Sequence, residues 1–162
     1  MKERVFASNF RAELKQRYGD EIHVQALIDA PRAQAKPYDG YCVCDGVFHA
    51  FEFKVVKGLS LNANLLKSHQ FDGLMEVDNN DGESHIIIRL EHSEVKEYCF
   101  IATVAEWLTI FDYSYVDEEW VAGIKSRKLL EILATWKMCF MERKKIDGKK
   151  VWDCQSYLRG EE

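Results

Sequence analysis

The feature that most constrains this chain is a dipeptide. Asp45-Gly46 lies between Tyr38–Cys44 and Val47–Val56, two runs rich in β-branched and aromatic residues. An Asp-Gly pair accepts the two positive φ angles of a type I′ turn, whose twist suits antiparallel strands. A hairpin is therefore predicted, and its register comes with it. The two-residue turn makes Cys44 and Val47 partners, and counting outward sets Asp39 directly across from Glu52. Side chains alternate faces along a strand, so Lys54 shares the face of Glu52. Phe51, Phe53 and Val55 point the other way.

Cross-strand partners have Cβ atoms only about 5 Å apart, and two carboxylates at that separation repel. They need a shared proton or a cation between them. With Lys54 beside them, Asp39 and Glu52 form an oxygen-rich cluster suited to a hard cation such as Mg²⁺ or Mn²⁺, whose remaining positions a substrate phosphate can fill.

Apolar spacing gives the rest of the chain. Phe6, Phe10, Leu14 and Tyr18 recur every four residues and predict a helix over 3–18. Strands are predicted at Ile22–Ile28, Ser84–Leu90 and Glu97–Thr103. Helices are predicted at Leu61–Met75, Val104–Phe111 and around Glu118–Leu133. A second hairpin, Met138–Ile146 with Lys149–Tyr157, turns at Asp147-Gly148. Helices interleaved with a meander indicate a mixed α/β domain without regular βαβ repetition. Trp107, Phe111, Tyr113 and Tyr115 are assigned to the core or a helix-packing face.

The order Pro37-Tyr38-Asp39, hairpin, Glu52-Phe53-Lys54 resembles the catalytic motif of the PD-(D/E)XK nucleases. One residue, Tyr38, separates the proline from the aspartate, which usually adjoin in that superfamily. Gln70, on the helix that follows, is similar to the Holliday junction resolvases of the group. The resemblance covers residues 3–105. It implies a restriction-endonuclease-like α/β fold, a mixed central sheet flanked by helices, and metal-assisted hydrolysis of phosphodiesters. It further implies an acidic residue on the first helix, for which Glu13 is the candidate and Glu3 the runner-up. Asp39, Glu52, the Phe53 carbonyl and Glu13 would hold the cation. Lys54 would orient the attacking hydroxide or stabilise the developing charge, and Gln70 would hold water or position Lys54.

With 162 residues, the chain suffices for one domain. Residues 1–105 are expected to form the catalytic core, and 106–162 a C-terminal extension packed on it. No segment approaches the roughly 20 apolar residues of a membrane span. The opening Met1-Lys2-Glu3-Arg4 is charged, unlike a signal peptide, so a cytoplasmic location is expected. The five cysteines are odd in number and irregularly spaced, which favours reduced structural thiols. Neither His49 nor His69 has a second His or Cys at zinc-ligand spacing. The absence of a GxxxxGK[ST] loop argues against a nucleotide cofactor.

A net charge of −5, taken as a total, opposes a nucleic-acid partner, but the charge is segregated. Residues 72–119 carry thirteen acidic groups against two basic, and 120–150 carry nine basic against three acidic. Phosphate responds to local potential, so DNA contacts are expected from Lys36, Lys57 and Lys67 around the cluster, and from Arg143, Lys144, Lys145, Lys149 and Lys150 on the second hairpin. The favoured reading is a four-way-junction endonuclease active in DNA recombination and repair. Two symmetric nicks imply a homodimer. A duplex-cutting nuclease of the same fold is the alternative, and a non-catalytic DNA-binding domain is a third.

Overall fold

A computed structural model describes residues 2–18, 22–26, 36–94, 98–135, 139–146 and 148–152. It begins with a helix, α1 (Glu3–Tyr18), whose Phe6, Phe10 and Leu14 are buried as their four-residue spacing requires. Three antiparallel strands follow: β1 (Ile22–Ala26), β2 (Gly40–Cys44) and β3 (Val47–Lys57). Asp45 and Gly46 have φ of 51° and 78°, the two left-handed residues that the tight turn demands.

After β3 the chain departs from expectation. The predicted helix over Leu61–Met75 is instead a short strand, β4 (Ser60–Asn62), a 3-10 turn (Ala63–Leu65) and a helix, α2 (Ser68–Asn79). This helix returns the chain to β5 (Glu83–Glu91), which lies parallel to β3. One βαβ crossover therefore stands in an otherwise antiparallel sheet. The strand β6 (Tyr98–Ala102) and the helix α3 (Val104–Ile110) match the sequence reading closely. Thr103 caps α3 by accepting from the Glu106 N–H, and Glu106 returns a bond from the Thr103 N–H.

The helix expected around Glu118–Leu133 is largely strand. Here β7 (Tyr113–Val116) and β8 (Glu119–Ala122) form a hairpin, and β9 (Ser126–Lys128) pairs with β4. Only α4 (Leu129–Thr135) is helical. The second predicted hairpin is present as β10 (Cys139–Ile146) and β11 (Lys149–Trp152). Tyr115, expected in a packed face, is exposed beside Trp120.

The main sheet runs β1-β2-β3-β5-β6-β10-β11. One face carries Phe51, Phe53, Ile87, Cys99 and Ile101 against α1. The other carries Ala50, Ile86, Ile88, Leu90 and Phe100 against α2, α3 and α4. The fold is thus mixed α/β, a central mixed sheet flanked by helices. Residues beyond 105 share its sheet and its core, since β10 pairs with β6 and Trp107 is fully buried. Cys42, Cys44 and Cys99 are buried. Among the described residues, no helix is long and apolar enough to cross a membrane.

Candidate active site at the fork of the hairpin

The register of β2 and β3 agrees with that dictated by the turn, from Cys44 opposite Val47 to Gly40 opposite Phe51. One residue further, the Asp39 N–H also donates to the Phe51 carbonyl at 2.9 Å, one position out of the hairpin register. Asp39 and Gly40 thus both stand against Phe51 as in a bulge, and the expected pairing of Asp39 with Glu52 is not formed. There the strands part. Asp39 stays on the vacated edge of β3, its Oδ2 accepting the Phe53 N–H at 2.9 Å and its Oδ1 lying 3.1 Å from Lys36 Nζ. The N–H and C=O of a strand residue point to the same side. The Phe53 carbonyl therefore faces this edge as well.

Glu52 lies on the opposite sheet face from Phe51 and Phe53, and only 2% of it is exposed. Its Oε1 accepts from Lys54 Nζ at 2.9 Å and from Gln70 Nε2 at 2.6 Å. Its Oε2 is buried with no hydrogen-bond partner among the described residues. Burial above all, and then the charge of Asp39, raise the Glu52 carboxyl to about 7 against the opposing pull of Lys54. A buried carboxylate oxygen with no donor is an expensive group, and a cation at this point would repay its lost hydration.

Gln70 ties this cluster to α2. Its Oε1 accepts the Lys67 backbone N–H at 2.9 Å and stands 3.4 Å from Lys54 Nζ. One residue near the helix start thus closes a free backbone donor and fixes both Glu52 and Lys54. The same helix packs on the Pro37–Asp39 segment through Gly73. A Cβ there would overlap Pro37, so only glycine permits the approach.

The remaining candidates fall in different places. Glu3 reaches the vacated β3 edge, its Oε1 accepting the Val55 N–H at 3.4 Å. Arg11 is half-buried; burial lowers its pKa and the charge of Asp39 raises it, so the helix turns a cation toward the site. Helical residues two positions apart face directions about 200° apart. Glu13 consequently sits on the other flank of α1 from Arg11, where it is half-buried. The sequence signal for Arg11 was the phase of the helix: Phe10 is buried, and Arg11 is the next residue round.

Lys57 and Lys67 are exposed at the end of β3 and the start of α2. Arg143, Lys144 and Lys145 stand on β10, and on β11 Lys150 pairs with Lys145 and Lys149 with Ile146. Lys145 is exposed, while the side chains of the other four basic residues fall outside the described set. This hairpin is separated from β3 by β5 and β6. His49, read from sequence as lacking a second ligand, is met by His85 from β5.

The donors at the fork are carboxylates and a backbone carbonyl. They fit Mg²⁺ or Mn²⁺, which take oxygen ligands and leave positions for water or phosphate. The unpartnered Glu52 oxygen is the observation on which that fit rests.

No known protein family matches the chain, nor does any curated protein. Among solved structures it is similar to that of Archaeoglobus fulgidus Hjc, a Holliday junction resolvase from an archaeal hyperthermophile. The two share 13% identity with a TM-score of 0.45, over 72% of this chain and 88% of that one. A likeness at this level assigns no residue its role, and the geometry of the fork must carry any functional reading.

Proposed function

We propose that this protein is a metal-dependent endonuclease that hydrolyses phosphodiesters in DNA, with four-way junctions as the favoured substrate. A buried carboxylate, Glu52, held by Lys54 and under the charge of Asp39, with one oxygen lacking a donor among the described residues, is the observation that supports the reading. Asp39, Glu52 and the Phe53 carbonyl would hold Mg²⁺, with Mn²⁺ as a substitute. A bound divalent ion supplies an acidified water and neutralises charge on the phosphate.

The protein's own groups do the positioning. Lys54 Nζ, held by Glu52 and Gln70, projects an ammonium toward the fork, where it can donate to a non-bridging phosphate oxygen as negative charge grows there. Gln70 keeps Glu52 and Lys54 in one arrangement by binding both at once. Lys36 and Arg11 lie next to Asp39 and add positive potential along the approach. Lys57 and Lys67 extend it, and the β10–β11 hairpin offers a second basic contact to a branched substrate. Paired nicks across a junction require two such forks, so a homodimer is part of the proposal.

The test is cleavage of a labelled four-way junction and of its separate linear arms in Mg²⁺, by the native chain and by an Asp39→Asn variant. Symmetric nicks in the junction alone, lost in the variant, are expected. Equal cleavage of the arms would keep the nuclease and remove the junction preference. Binding without cleavage would overturn the enzyme.

A further inference from the structure

We infer that His49, Glu83 and His85 form a second metal site, of the imidazole–carboxylate type that selects Zn²⁺ or a similar transition-metal ion. It is separate from the fork and does not depend on the nuclease reading.

The parallel pairing of β3 with β5 builds it. Register places His49 beside Glu83, and Phe51 beside His85. Odd-numbered residues of both strands face α1, so the three ligands lie on the opposite face of the sheet from Glu52 and Lys54. His49 Nδ1 lies 2.8 Å from His85 Nε2 and 3.3 Å from Glu83 Oε2, and His85 Nε2 lies 3.8 Å from that same oxygen.

Three atoms with these separations lie on a circle of radius about 2.0 Å, which is the length of a Zn–N or Zn–O bond. An ion just out of their plane would meet all three at bonding distance and keep one position of a tetrahedron open. The two imidazoles are almost wholly buried, while the Glu83 side chain is 58% exposed. An ion would therefore enter past the carboxylate. A cleft of about 360 Å³, with Glu83, His85 and Thr103 in its wall, opens beside the cluster.

Without an ion, the same atoms share a proton. The His49 and His85 rings lie edge to edge, with centroids 5.1 Å apart and planes 21° apart. The short N···N contact is then a hydrogen bond in which one ring donates and the other accepts. An ion would replace that proton, and each ring would pivot toward Glu83 to aim its lone pair. Burial lowers the pKa of both histidines, most strongly for His85, to about 3. Both are thus kept as neutral imidazole, the form that binds metal. Nitrogen ligands select against Mg²⁺, so the two sites would sort ions by chemistry. Phe51 stacks on His85 at 5.4 Å and shields the inner side of the cluster.

The experiment is a calorimetric titration of the metal-stripped full chain with Zn²⁺, in excess Mg²⁺ to occupy the fork. It is repeated with Co²⁺, whose visible spectrum reports coordination geometry. One equivalent of Zn²⁺ and an intense tetrahedral Co²⁺ spectrum are expected. Glu83→Ala removes an exposed side chain and should fold; it should weaken Zn²⁺ at least tenfold. His49→Ala should abolish the spectrum, while Asp39→Asn should keep both the equivalent and the spectrum. Absence of stoichiometric Zn²⁺ would overturn the site. So would binding that Glu83→Ala and His49→Ala leave unchanged, or that Asp39→Asn removes.

Discussion

Replacing Glu52 with Gln isolates the cost of burying its charge. In the unfolded chain this carboxyl has its ordinary pKa of 4.5, and in the fold it rises to about 7. A folded pKa above the unfolded one means that the native state holds its proton more tightly. The resulting stabilisation is complete below pH 4.5 and is lost as pH rises through about 7. At 1.36 kcal/mol per pH unit, the loss amounts to about 3 kcal/mol. Gln has the shape of the protonated acid and no charge to bury, so it should lack this slope. Its altered pairing with Lys54 adds an offset that stays constant over the same pH range. Titration of the histidines is common to both proteins and cancels. The quantity to follow is therefore the difference in unfolding free energy, measured by urea denaturation in chelator across that interval. Native minus variant should fall by about 3 kcal/mol, a shift of roughly 1.5 M in the relative midpoints. Saturating Mg²⁺ should restore much of the loss in the native chain and none in the variant. A difference that stays flat with pH would refute the claim that Glu52 is buried as a strained carboxylate.

Lys54→Ala should slow cleavage by about 100-fold or more, with junction affinity by gel shift close to native; a near-native rate would remove Lys54 from the chemistry. Gly73→Ala should cost about 1–3 kcal/mol in urea, because the new methyl meets Pro37. It should also weaken the Mg²⁺ dependence of cleavage, since the segment it pushes carries Asp39. Phe10→Ala empties the contact with Phe51 and Phe53, whose rings lie 5.6 and 5.2 Å away. A loss of about 3–5 kcal/mol is expected in thermal unfolding, and a loss below 1 kcal/mol would mean that α1 is dispensable to the core.

The parts of this fold that sequence could show are those decided locally. Asp45-Gly46 set the hairpin register as far as Gly40 opposite Phe51, though not the one-residue shift at Asp39 beyond it. The phase of α1 followed from Phe6, Phe10 and Leu14. Other parts depend on partners far along the chain. Leu61 and Leu65 have helical spacing, yet Ser60–Asn62 is drawn into a strand by Ser126–Lys128. The β7–β8 turn uses Asp117 and Glu118, both with positive φ, so it carries no glycine to announce it. The meeting of His49 with His85 crosses 36 residues through parallel pairing. No local spacing rule could find it. The place of Arg11 beside Asp39 follows from the phase of α1, one residue round from the buried Phe10.

One feature of the fork bears on solubility. Since β2 begins at Gly40, the side of β3 facing it continues past Phe51 with no strand paired to it among the described residues, and the Asp39 and Glu3 carboxylates take the Phe53 and Val55 N–H groups instead. An open edge of this kind is a template on which another chain can lay a strand. The aspartate proposed to serve the reaction thus also blunts the sheet against self-association. Asp39→Asn keeps an acceptor for Phe53 and should remain monodisperse by light scattering beside the native chain. Asp39→Ala should shift toward larger species, so inactivity in that variant would mix lost chemistry with lost protein.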